Sequence, residues 1–143
     1  MNRPFASLHA RTFCHATESP DKVKTAMQNT VGIRELKLSK TEGHHGNPIT
    51  VMEVDIEEME GIDDFFSRLS RGDFEELLSS LSSRIDEGCN LFLRIDKQEA
   101  FRGTIRLGKD DDVISVRIHV RSFPSKCAIA TSIAREYLAG RLS

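Results

Sequence analysis

At 143 residues and 38% apolar, with no apolar run long enough to cross a bilayer, the chain is sized for one globular domain and not for a membrane protein. Its formal net charge of -2 argues against a uniformly basic surface, yet the charge is uneven: Glu53, Asp55, Glu57, Glu58, Glu60, Asp63 and Asp64 cluster, and without them 20 lysines and arginines face 15 of the 22 acids. Cys14, Cys89 and Cys127 form no CxxC pair and no even-numbered framework, which excludes a disulfide scaffold; with no apolar signal core behind Met1-Asn2-Arg3-Pro4-Phe5, an intracellular, cytoplasmic protein is expected.

Residues 5–16 alternate, with Ala6, Leu8, Ala10, Cys14 and Ala16 on one face and Ser7, His9, Arg11, Phe13 and His15 on the other, and predict a strand with one open face. Ser19-Pro20-Asp21 opens a helix that carries Val23, Ala26, Met27 and Val31 to Gly32. Arg34–Leu38 and Ile49–Val54 read as the arms of a long hairpin. Ile62, Phe65, Phe66 and Leu69 take helical spacing, Gly72-Asp73 interrupts, and Asp73 caps a second helix bearing Phe74, Leu77, Leu78, Leu81 and Ile85 before Gly88. Asn90–Asp96 resumes the strand pattern with Leu91, Leu93 and Ile95 inward, and residues 97–103 form a short helical turn. Thr104–Leu107 and Val113–Arg121 predict a further hairpin, its second arm directing Ile114, Val116, Ile118 and Val120 inward. Pro124-Ser125-Lys126 starts a final helix with Ile129, Ile133 and Tyr137 on one stripe, ended by Gly140. The order β-α-β-β-α-α-β-β-β-α predicts an α+β class, a single domain over residues 1–143 in which helices pack on one face of an antiparallel sheet.

The most unusual chemistry lies at the tip of the first hairpin, Thr41-Glu42-Gly43-His44-His45-Gly46-Asn47-Pro48. Two glycines bracket adjacent imidazoles, and Asn47-Pro48 forces an extended exit. The imidazoles suit metal ligation, phosphate contact or proton transfer. A metal wants three or four converging ligands and the local run offers only His44, His45 and Glu42, so no metal and no cofactor is expected; exposed backbone N–H groups beside imidazole and amide donors suit an anion better. The plainer reading is that the glycines only satisfy turn geometry. Asp110-Asp111-Asp112 lacks the spaced ligands of a calcium loop and reads as a solvated turn.

Collected on one open sheet face, His9, Arg11, His15, Lys37, Arg94, Arg117, His119 and Arg121 interleave with Phe13 and Phe92. Cations that neutralise phosphates beside rings that stack on unpaired bases fit nucleic acid. The competing reading covers the rings with a partner and pairs the arginines with Glu35, Glu53 and Asp55.

The runs Arg11-Thr12-Phe13-Cys14-His15-Ala16-Thr17-Glu18, Thr41–Ile49, Leu93–Gly103 and Phe123–Ala130 together resemble an archaeal family described as RNA-binding proteins or predicted exosome subunits, over most of the chain. The resemblance implies a ribosomal-protein-like α+β domain with a curved antiparallel sheet, a setting in RNA processing or translation, and no established catalytic residues. The matched polar positions are Arg11 and His15, then Glu42, His44, His45 and Asn47, then Arg94, Lys97, Gln98 and Arg102, and finally Lys126. Lys126 has an independent warrant as a cation at a helix N-terminus, while Lys97 and Gln98 close a strand within reach of phosphate or sugar oxygens.

The expectation is a noncatalytic RNA-binding protein whose contacts are Arg11, His15, Lys37, His44, His45, Asn47, Arg94, Lys97, Gln98, Arg117, Arg121 and Lys126. Its partners would be RNA and subunits of an RNA-processing complex, with no membrane. Two alternatives stand beside it: an interaction subunit or homodimer that makes no RNA contact, and a metal-dependent phosphodiesterase using His44, His45, His15 and Glu42.

Overall fold

The computed structural model describes residues 3–43 and 46–142. Five strands, β1 (Phe5–His15), β2 (Lys37–Glu42), β3 (Pro48–Ile56), β4 (Asn90–Asp96) and β5 (Val113–Val120), form one antiparallel sheet in the order β2-β3-β1-β5-β4. Among the described residues six helices complete the α+β fold: α1 (Pro20–Val31), α2 (Met59–Ser67), α3 (Arg71–Ser79), α4 (Leu81–Arg84), α5 (Lys97–Phe101) and α6 (Cys127–Gly140). Period-two alternation fixes which side of β4 and β5 is covered, whereas β2 is exposed along its whole length. In β5, Ile114, Val116, Ile118 and Val120 are buried while Ser115, Arg117 and His119 are exposed, and in β4 Leu91, Leu93 and Ile95 are buried while Phe92 and Arg94 are exposed.

By contact density the chain divides into two compact units. The first comprises the chain up to Leu8, Ile56–Leu93 and the chain from Arg117 on. Its core is aromatic: the Phe66 ring stacks on Phe5 at 5.6 Å and meets Phe65 edge-on at 5.2 Å, and Phe5 meets Tyr137 edge-on at 4.9 Å. Such pairs add to the area these rings bury. α6 packs on α3 and α4. Its buried stripe is Ala130, Ala134 and Leu138, one residue past the predicted Ile129, Ile133 and Tyr137, which are half-buried. Small alanines at the centre of the stripe let the helix lie close, with the larger side chains at its flanks. α3 begins at Arg71 and not after Asp73, because Ser70 caps it: Ser70 Oγ accepts from Asp73 N–H at 3.2 Å and the Asp73 carboxylate accepts from Ser70 N–H, a reciprocal box that takes Gly72 into the first turn. At Ser80 the second predicted helix breaks into α3 and α4.

The second unit comprises His9–Asp55 and Arg94–Val116. α1 starts and stops where its sequence signals place it: the Ser19 side chain accepts from Lys22 N–H, Pro20 stands at the first turn, and Gly32 at φ +87° donates to the Gln28 carbonyl. α1 packs on α5, and Asn29 Nδ2 donates to the Ala100 carbonyl at 2.8 Å. The hairpin arms pair from Lys37↔Glu53 to Glu42↔Pro48, so β2 starts later than the predicted Arg34, whose guanidinium donates back to the Val31 carbonyl at the end of α1. Gly43 N–H donates to the Asn47 carbonyl and Gly46 sits at φ +74°, so both glycines serve the turn. Thr104–Leu107 forms no strand. Only Leu107 bridges Ile95, while Asp96 N–H donates to the Arg106 carbonyl and Gly108 N–H to the Arg94 carbonyl. A Cβ on Gly108 would lie 3.1 Å from the Asp96 Cα, so this close approach depends on glycine.

Candidate functional site

In the first unit, β5 and the residue after it direct Arg117, His119 and Arg121 to the exposed side, and β4 adds Phe92. His119 Nδ1 lies 3.1 Å from Asn90 Oδ1, which orients the ring. The guanidinium groups of Arg117 and Arg121 have no hydrogen bond or ion pair among the described residues. Lys126 is exposed at the N-cap of α6, with no capping side chain and no acid in the first turn. A cleft of about 860 Å³, lined in part by Arg3, Arg121, Phe123 and Tyr137, opens in this unit. Sequence reasoning missed it, although a bare aromatic between a strand-end arginine and a proline was a signal that could have pointed there.

In the second unit, Arg11 and Phe13 on β1 are coupled, the guanidinium carbon lying 5.5 Å from the ring centroid and the ring remaining 40% exposed. His15 is exposed, and Arg94 on β4 is exposed with no side-chain partner among the described residues. Lys37 is committed differently. Its ammonium lies 3.1 Å from Asp55 Oδ2, and Asp55 Oδ1 lies 2.7 Å from His9 Nδ1, while His9 Nε2 lies 3.1 Å from Glu53 Oε2. The acids Glu53 and Asp55 therefore meet His9 and Lys37 rather than the arginines. The His9 hydrogen bond above all holds the Asp55 carboxyl below its usual value, with burial opposing it and Lys37 assisting.

Lys97 and Gln98 are both engaged by protein carboxylates, Lys97 buried and Gln98 exposed. The Lys97 side chain is 5% exposed, and its ammonium reaches the Phe13 carbonyl at 2.8 Å, Glu18 at 3.0 Å and Asp112 at 2.8 Å. Gln98 Nε2 donates to Asp112 Oδ2 at 2.9 Å. Burial would raise the Asp112 carboxyl, but hydrogen bonds from Lys97 and Gln98, with the charges of Lys97 and His15, bring it below its usual value. Burial, reinforced by Glu18 and opposed by Lys97, pushes the Cys14 thiol up, which leaves it an unreactive core group.

Asn47 is exposed in the hairpin loop; His44 and His45 lie outside the described residues. Among the described residues no three His, Cys, Asp or Glu side chains converge as a metal site would require, and no helix is long and apolar enough to cross a membrane.

Residues 7–120 match a family model described as RNA binding. The chain is 34% identical to an RNA-binding protein, PAB1135, of Pyrococcus abyssi, over 94% of both chains. Among solved structures it is similar to protein AF2318 of Archaeglobus fulgidus (TM-score 0.83, 34% identity, 92% of this chain and 98% of that one). It is also similar to Mth689, a DUF54 protein of Methanothermobacter thermautotrophicus (TM-score 0.82, 29% identity, 94% and 98%).

Proposed function

Because the chain belongs to the RNA-binding family that its residues 7–120 match, we propose that it is a noncatalytic RNA-binding protein of RNA processing or translation. The observation that carries the reading is the state of Arg94, Arg117 and Arg121: exposed on or beside strands whose other side is buried, with no protein partner among the described residues. A guanidinium without a protein counterion keeps its donors for phosphate oxygens. Arg11 with Phe13, His15, Asn47 and Lys126 add donors and one stacking surface, and His44 and His45 extend the set on the strength of their sequence. Lys97 drops out of the contact set, because its ammonium is buried among protein acceptors, while Lys37 and Gln98 stay in it, exposed beside the carboxylates they meet. Contacts of this kind position the RNA backbone rather than read bases.

The noncatalytic part is supported by the family's description as RNA binding and by the relative's name as an RNA-binding protein. Association with other subunits of an RNA-processing complex, an exosome among them, follows from the family resemblance and is a matter for co-purification.

Binding of the purified protein to short single-stranded and hairpin RNAs, with matched DNA and with Mg²⁺ or Mn²⁺ present, tests the reading. Submicromolar binding of RNA that remains intact is expected. RNA left unbound at low salt contradicts RNA recognition, and metal-dependent cleavage contradicts the noncatalytic part.

A further inference from the structure

The cleft of the first unit lies among the run Arg3–Ala6, the end of β5 and α6, and its volume of about 860 Å³ is within the range of roughly 300–1,000 Å³ typical of small-ligand sites. Its lining divides by chemistry. His119 and Arg121 supply donors, Ile133 and Tyr137 supply apolar surface from α6, and Phe123 stands with 99% of its surface in solvent. Arg3 is anchored by Nη2, which donates to the Glu57 carbonyl at 2.5 Å, while its buried Nε finds no partner among the described residues.

A single exposed ring is ordinary on a protein surface. This one belongs to a braced loop: Ser122 Oγ donates to the Pro124 carbonyl at 2.7 Å, Ser125 Oγ to the Ser122 carbonyl at 3.3 Å, and Lys126 N–H to the Pro124 carbonyl at 2.9 Å. The backbone that carries the ring is thus ordered before any ligand arrives, which lowers the entropy lost on binding. A ligand that matches the cleft needs a flat face for Phe123 and an anion for Arg121 and His119. Glu136, on the same lining, disfavours a simple polyanion and offers an acceptor to an amino group. A nucleotide of adenine, guanine or cytosine has all three features.

We propose that the cleft receives an unpaired nucleotide of an RNA chain, Phe123 stacking on the base while Arg121 and His119 meet its phosphate. The inference rests on the RNA-binding reading and refines it: bulged or looped RNA is preferred to continuous duplex.

The test compares a fully paired hairpin RNA with the same hairpin carrying one bulged 2-aminopurine, at fixed salt, and includes adenosine monophosphate as a free-nucleotide probe. Stacking a base on an aromatic side chain predicts about tenfold tighter binding of the bulged RNA, with quenching of its fluorescence. Phe123→Ala should lower that affinity to the level of the paired hairpin and leave the paired hairpin unaffected, and Phe123→Tyr should restore the preference. Equal binding of the two RNAs, or an equal loss for both in Phe123→Ala, overturns this inference and leaves the RNA-binding reading standing. Failure to bind either RNA overturns both. Saturable binding of adenosine monophosphate with no bulge preference would give the cleft to free nucleotides and overturn its assignment to RNA.

Discussion

Lys97 carries its ammonium into a site bounded by the Phe13 carbonyl, Glu18 and Asp112. Removing one partner of a buried ion pair leaves the others uncompensated, but Glu18 and Asp112 remain 24% and 44% exposed, so water takes up part of the deficit. Lys97→Met should therefore destabilise the protein by about 2–4 kcal/mol in urea unfolding, toward the low side of what a fully buried pair costs. The pH dependence has a definite sign. Asp112 and Asp55 both titrate below their ordinary 3.8 in the folded state, so their contribution is present above that value and is lost as pH falls through the folded values. Stability of the native protein should drop below about pH 4, and Lys97→Met should flatten the share due to Asp112 while leaving that of Asp55. A variant with an unchanged acid limb would contradict this. Neither the committed state of Lys97 nor that of Lys37 was legible in the sequence. Glu18 and Asp112 lie far from Lys97 along the chain, and only the fold brings them to it.

The elements themselves were largely legible, because their signals are local. Alternation in β4 and β5, and in β1 from Leu8 to His15, shows which side chains face out, although Ala6 and Ala16 leave the inward face the pattern gives them, and Ser19-Pro20 and Gly32 mark both ends of α1. Competing signals caused the departures. Asp73 looked like an N-cap, but Ser70 three residues earlier forms a box with it, so the helix starts sooner. Ser70→Ala should cost about 1 kcal/mol, read as a lower midpoint in urea with unchanged slope. No change would mean that Asp73 alone supplies the cap. Thr104–Leu107 reads as a strand arm in sequence, yet the approach of Gly108 to Asp96 directs it into a single bridge. In α6 the largest side chains mark a stripe at Ile129, Ile133 and Tyr137, whereas the helix packs on its alanines.

Across the molecule, the acidic run that sets the low pI of about 6.2 is engaged mostly within the protein. Glu53 and Asp55 face His9 and Lys37, Asp63 accepts from the Tyr137 hydroxyl, and Asp64 pairs with Arg68. Net charge therefore understates what the outward arginines offer, since Arg94, Arg117 and Arg121 are not among the groups these acids neutralise. Such a surface should bind RNA with an affinity that falls as counterions are restored to the phosphates. The most direct measurement is the salt dependence of RNA binding for the native protein and for a variant carrying Arg94→Ala, Arg117→Ala and Arg121→Ala. The native protein should give a log-log slope of roughly -2 to -4, and the variant a slope shallower by about 2 together with weaker binding to every sequence. Identical slopes and affinities in the two proteins would show that these arginines do not hold RNA, and would contradict the account.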